Sequence, residues 1–114
     1  MSAIARAVAA SRRADEIGLR MTDNPEPSRE VIARQSRVHS ELCEFIRNPT
    51  AEELGDILLA TIRLGLLYGI QPEGALDVAV LKFTRRMARL PWKPTLEDWH
   101  RAKAEADSGA EYPP

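Results

Sequence analysis

The segment 54–70 constrains the fold more than any other part of the chain. Leu54, Ile57, Leu58, Leu59, Ile62, Leu64, Leu66, Leu67 and Ile70 wrap nearly the whole circumference of a helix. That helix opens on the capping sequence Thr50-Ala51-Glu52-Glu53 and is stopped by Gly69. A helix that is apolar all round has to be buried all round. The greasy stretch is too short to span a bilayer and carries Arg63 inside it, so the covering material must be protein. Five helices in a chain of 114 residues can hardly supply that cover alone. A homodimer or homotetramer is therefore expected, the alternative being that the first and last helices wrap the third within one chain.

The rest of the pattern is helical too. Strict alternation of β-branched residues is absent, and breaks fall at Asn24-Pro25-Glu26-Pro27, Asn48-Pro49, Gln71-Pro72, 91–94 and the Pro-rich end. A first helix is predicted over 2–20, and a second runs from a Ser28 cap to about Arg47. Val31, Gln35, Val38, Leu42, Phe45 and Ile46 form its stripe. The break 47–50 is short enough to force an antiparallel hairpin onto the third helix. A fourth helix starts at Pro72 and reaches about Leu90, and a last one runs from Thr95 to about Ala106. The expected fold is all-α: a four- to five-helix bundle forming one domain over 1–114, with its core at about 12–105 and flexible termini.

A net charge of −1 gives no general attraction to nucleic acid or anionic membrane. The first residues lack the apolar core of a secretory signal, which makes the cytoplasm the expected compartment. Cys43 is the single cysteine, so no intrachain disulfide is possible, and no Cys/His cluster suggests zinc.

Chemistry enters with four carboxylates. Glu41 and Glu44 are neighbours at i, i+3 on the second helix, and Glu53 and Asp56 repeat the spacing on the third. Counted from the turn, Glu44 and Glu53 lie at similar heights, with Glu41 and Asp56 one turn further out. At a rise of ~1.5 Å per residue, all four fall within roughly two helical turns. Carboxylates gathered beside an apolar core repel one another, and a hard divalent cation such as Mg²⁺ or Mn²⁺ relieves that. Ordinary roles compete with this reading. Glu53 can complete a capping box, and Glu41 and Glu44 can pair with Arg34, Arg37 or Arg47 on a solvated face.

The stretch Glu52-Glu53-Leu54-Gly55-Asp56-Ile57-Leu58-Leu59-Ala60 resembles the EELGDLLFA signature of the MazG-type nucleotide pyrophosphohydrolases. Residues 69–76, Gly-Ile-Gln-Pro-Glu-Gly-Ala-Leu, resemble that family's GIDPEEAL turn. Lys82-Phe83-Thr84-Arg85-Arg86 is similar to its KFERRF segment. Residues 13–19 and 96–103 are similar to its opening and closing helices. The likeness covers roughly 12–105 and thins between 22 and 36.

It implies hydrolysis of a nucleoside triphosphate to a monophosphate and pyrophosphate, of the house-cleaning kind, with Mg²⁺ or Mn²⁺ held by Glu41, Glu44, Glu53 and Asp56. Glu41 or Glu44 would orient the attacking water. Lys82 and Arg86, four apart on the fourth helix, would contact the triphosphate, with Arg37 a further candidate; Arg63, on the face of Asp56, either adds a phosphate contact or neutralises the carboxylates. Without the resemblance, the basic pair reads as a solvated face near a helix C-terminus.

Several positions depart from the family pattern. Arg63 stands where the family commonly has Asn, Val80 replaces another Asn, Ser40 replaces the first Glu of an EExxE run, and Met21 stands for a Trp. The alternative function is thus a silent helical module of the same type that binds a nucleotide or a protein partner. His39 and His100 read as structural, Cys43 as core filler, and Trp92 and Trp99 as packing residues for the last helix.

Overall fold

The computed structural model describes residues 1–109. It is all-helical, with no strand among the described residues: α1 (Ala3–Glu16), α2 (Pro27–Arg47), α3 (Ala51–Leu67), α4 (Pro72–Met87) and α5 (Leu96–Asp107). The Pro-rich end lies outside the described residues. The chain divides into two compact units, Met1–Pro72 and a second from Glu73 onward.

In the first unit, α2 and α3 form the expected hairpin. Arg34 meets the Arg63 carbonyl, and Glu41 meets Glu53 and Asp56, so residues earlier in α2 face residues later in α3. The two helices therefore run antiparallel. Thr50 caps α3 by accepting from the Glu53 N–H at 3.2 Å, which leaves the Glu53 carboxylate to other partners. Gly69 ends the segment at φ 72, a conformation glycine takes without strain.

Two boundaries differ from expectation. The second helix starts at Pro27 with Glu26 as its cap, not at Ser28, because the fixed φ of proline suits the first helical turn. The first helix stops at Glu16 rather than near residue 20, since Gly18 takes φ 83. The freed segment folds back, and the Met21 N–H donates to Glu30 Oε1 at 2.7 Å.

The expectation that the third helix is covered all round is not met within the chain. Ala60 is its one buried residue, while Leu54, Leu58, Leu59 and Leu67 are exposed. Polar groups fill much of the interior of the first unit instead: Ser11, Glu30, Arg34 and Glu41 are all buried. Arg34 ties them together. Its Nε donates to Glu30 at 2.9 Å, Nη1 to the Arg63 carbonyl at 3.0 Å, and Nη2 to Asp15 at 2.8 Å. One guanidinium thereby links α1, α2 and α3.

In the second unit, Phe83 on α4 packs against Trp99 on α5, ring centroids 5.8 Å apart at 54°. Arg86 lies 5.8 Å over the same indole and forms a two-pronged pair with Asp107, the shorter contact 2.6 Å. Thr95 and Asp98 close a reciprocal capping box on α5. Trp99 thus packs the last helix as expected. Trp92 does not: it is 89% exposed, held away in the turn where Lys93 takes φ 51.

Candidate metal centre

Glu41 lies on the face of α2 that meets α3, and the i, i+3 spacing of Glu53 and Asp56 aims both back at it. One oxygen from each of these three carboxylates lies within 4.8 Å of the others. Glu41 forms a buried floor, Glu53 is half-buried, and Asp56 is exposed, so the group opens on one side.

The donor set fits a small hard cation. Oε2 of Glu41 and Oε2 of Glu53 are both buried without a hydrogen-bond partner. A buried, unpaired polar atom forfeits its hydration without compensation, a cost of roughly 1–3 kcal/mol that rises for charged groups. Oxygens on opposite sides of Mg²⁺ sit about 4 Å apart, so small side-chain rotations close the observed set around one ion. Glu41 Oε1 is held by Arg37 Nη2 at 2.7 Å, while Oε2 has no such partner.

The electrostatics agree. Burial pushes the Glu41 carboxyl above its usual range, and Glu44 and Asp56 push it further against the opposing pull of Arg37. Burial likewise raises Glu53, assisted by the charges of Glu44, Asp56 and Glu52. Glu44 is exposed and stands beside the three, acting on Glu41 and Glu53 as a fourth negative charge.

These shifts set the expected pH dependence of the metal-free chain. Glu41 and Glu53 have raised values, so their folded forms bind protons more tightly than the unfolded chain. Their contribution falls as pH rises from about 4.5 through the folded values. Glu30 shifts the other way. Burial alone would raise it, but the Met21 N–H, Arg34 and Arg20 outweigh that. Asp98, bonded by Thr95, and Asp107, bonded by Arg86, are also lowered. Those three stabilise the fold above the ordinary carboxylate range and lose that effect as pH falls below it. Melting of the metal-free chain should therefore peak in mildly acid solution, and Mg²⁺ should abolish the decline toward neutrality. A melting temperature that climbs steadily from pH 5 to 8 without metal would contradict this.

The basic residues expected at the site are distributed differently. Arg37 contacts the cluster through Glu41. Arg63, although on the same face of α3 as Asp56, turns toward α1: Nε donates to Ser11 Oγ at 3.2 Å, and Nη2 lies 3.5 Å from Asp15 Oδ1. Lys82 and Arg86 belong to the second unit, where Arg86 pairs with Asp107 and Lys82 adds to the positive field on that carboxylate.

Sequence reasoning missed Asp15, Glu30 and the central role of Arg34. The i, i+4 spacing of Glu30 and Arg34 was a visible signal of an ion pair. Their burial was not visible, because it depends on α1 folding across the hairpin. His39 and His100 are exposed and belong to no carboxylate group. No helix among the described residues is long and apolar enough to cross a membrane. Comparison with known protein families, curated proteins and solved structures returned no match to this chain.

Proposed function

We propose that the chain is a Mg²⁺-dependent nucleotide pyrophosphohydrolase of the MazG-like type, converting a nucleoside triphosphate to the monophosphate and pyrophosphate. The observation that carries this reading is the pair of buried, unpartnered oxygens on Glu41 and Glu53 beside Asp56. A bound cation would neutralise phosphate oxygens there and lower the pKa of a nearby water. The chain's own groups supply the rest. Glu41, fixed by Arg37, has a set orientation. Glu44, exposed beside Glu41 and Glu53, would accept the proton as a water oxygen attacks the α-phosphorus and the bond to the β-phosphate oxygen breaks. Pyrophosphate then leaves carrying the electron pair.

The apolar residues exposed on α3, Leu54 and Leu58 among them, fit a homodimer or homotetramer in which a second copy covers this face. Sedimentation velocity tests that assembly. The cytoplasm is the proposed compartment.

One observation favours a second reading, the silent binding module: Arg63 and Arg86, both assigned to phosphate, already pair with Asp15 and Asp107. Product analysis separates the two. Incubation with a panel of ribo- and deoxyribonucleoside triphosphates and Mg²⁺ should yield monophosphate and pyrophosphate in equal amounts. Folded, metal-loaded protein that releases orthophosphate, or nothing, would overturn the enzyme reading.

A further inference from the structure

The two sides of the α2–α3 hairpin differ in chemistry. At about 100° of rotation per residue, Arg37 and Glu44 flank the buried Glu41 on one side of α2. Asp56 and Arg63 share that side of α3, and Arg63 reaches from it to Ser11 on α1. The carboxylate cluster and α1 therefore occupy one side of the hairpin.

The other side carries two uncharged stripes. On α2, Ile32, Gln35, His39, Leu42 and Ile46 recur at alternating steps of three and four residues. On α3, Leu54, Leu58, Thr61, Gly65 and Tyr68 repeat those steps. Gln35 Nε2 donates to Tyr68 Oη at 3.5 Å, which sets the stripes side by side. None of these positions holds an acidic or basic carboxylate, ammonium or guanidinium group, in a chain that is 29% charged. Ile46 is 69% exposed and Leu58 57%, and Ile32, Leu42, Leu54 and Tyr68 are exposed as well.

Steps of three and four residues are the pattern of a helix–helix seam. Two such stripes on an antiparallel pair make half of a four-helix bundle. A second copy of the hairpin supplies the other half, because a two-fold axis through this face sets matching stripes together. The exposed parts of these side chains amount to roughly 800 Å² per chain, the half-interface of an ordinary stable dimer. The fold also needs a constant partner. Among the described residues the buried apolar side chains are three alanines, Ala60, Ala102 and Ala106. Alanines remove too little apolar surface from water to offset the entropy of ordering the chain. Whatever completes the core has to be present whenever the chain is, a condition that another copy always meets.

We propose that two copies pair through this α2–α3 face, hairpin against hairpin, as a two-fold four-helix bundle with the carboxylate clusters on its outer sides. The inference rests on the homo-oligomer proposed above, to which it gives a face and a symmetry; the phosphate chemistry plays no part in it.

Sedimentation velocity of the full chain should show a dimer. Ile46→Glu combined with Leu58→Glu should raise its dissociation constant about a hundredfold or more, since like charges are then buried without partners. Leu59→Glu, about 100° from Leu58 on the same helix, should leave the dimer unchanged. A second measurement keeps the test decisive if the double variant unfolds. In wild-type dimers mixed from isotope-labelled and unlabelled chains, isotope-filtered NMR should place interchain contacts at the methyl groups of Ile32, Leu42, Ile46, Leu54 and Leu58. A dimer that survives the double variant, or whose interchain contacts lie on α4 instead, overturns this face and leaves the homo-oligomer standing. A wild-type chain that sediments as a monomer overturns both. Interchain contacts at these methyl groups without triphosphate cleavage uphold the bundle and sink only the enzyme reading.

Discussion

Arg34→Ala is expected to remove about 3–5 kcal/mol from the stability of the first unit, the usual cost of breaking a buried ion pair from one side. The substitution strands Glu30, itself buried, with its negative charge opposed only by the Met21 N–H and the more distant Arg20. It also removes the donor to the Arg63 carbonyl and the principal donor to Asp15. Three helices lose their common tie in one step. Denaturant unfolding followed by circular dichroism measures the effect, with Arg29→Ala, on the exposed side of the same helix, as the control. That control should change stability by less than about 0.5 kcal/mol. Equal effects from both substitutions would mean that the buried network is not what holds α1 to the hairpin.

The second large effect concerns activity. Glu53→Gln combined with Asp56→Asn is expected to reduce triphosphate turnover by roughly a thousandfold or more, in the range seen when principal electrostatic groups are removed from an active centre. The pair contributes two of the three clustered oxygens, both from α3, and their amide replacements keep shape while removing charge. The same double variant should melt at a higher temperature than wild type in the absence of metal. It deletes the Glu53 charge, which burial disfavours, together with the Asp56 charge that presses on Glu53 and Glu41. Loss of activity with gain of stability is the mark of a site held under strain for function. Loss of both would point to a structural role for these carboxylates.

Much of this molecule could be read from its residues. The hairpin followed from the short Asn48-Pro49 break between two helical stripes, and i, i+3 spacing put Glu41, Glu53 and Asp56 on facing sides of it. Glu44, expected to join them, is the more exposed member and reaches both Glu41 and Glu53 through its side chain as well as by charge. Local periodicity decides which face a side chain occupies. It does not reveal which long side chain swings to which partner. Arg63 shows the difference: seven residues after Asp56 it shares that face, yet its guanidinium reaches back to Asp15 and Ser11 on α1. Trp92 illustrates a further limit, since aromatic character alone did not show that its turn would hold it in solvent.

The central claim is that the carboxylates between α2 and α3 hold a divalent cation, and a Mn²⁺ titration followed by electron paramagnetic resonance tests it most directly. Wild-type chain should quench the signal of free Mn²⁺ to saturation, Mg²⁺ should restore it by competition, and Glu53→Gln with Asp56→Asn should leave it untouched. A wild-type chain that leaves Mn²⁺ free in solution, or a double variant that binds it equally well, would contradict the account.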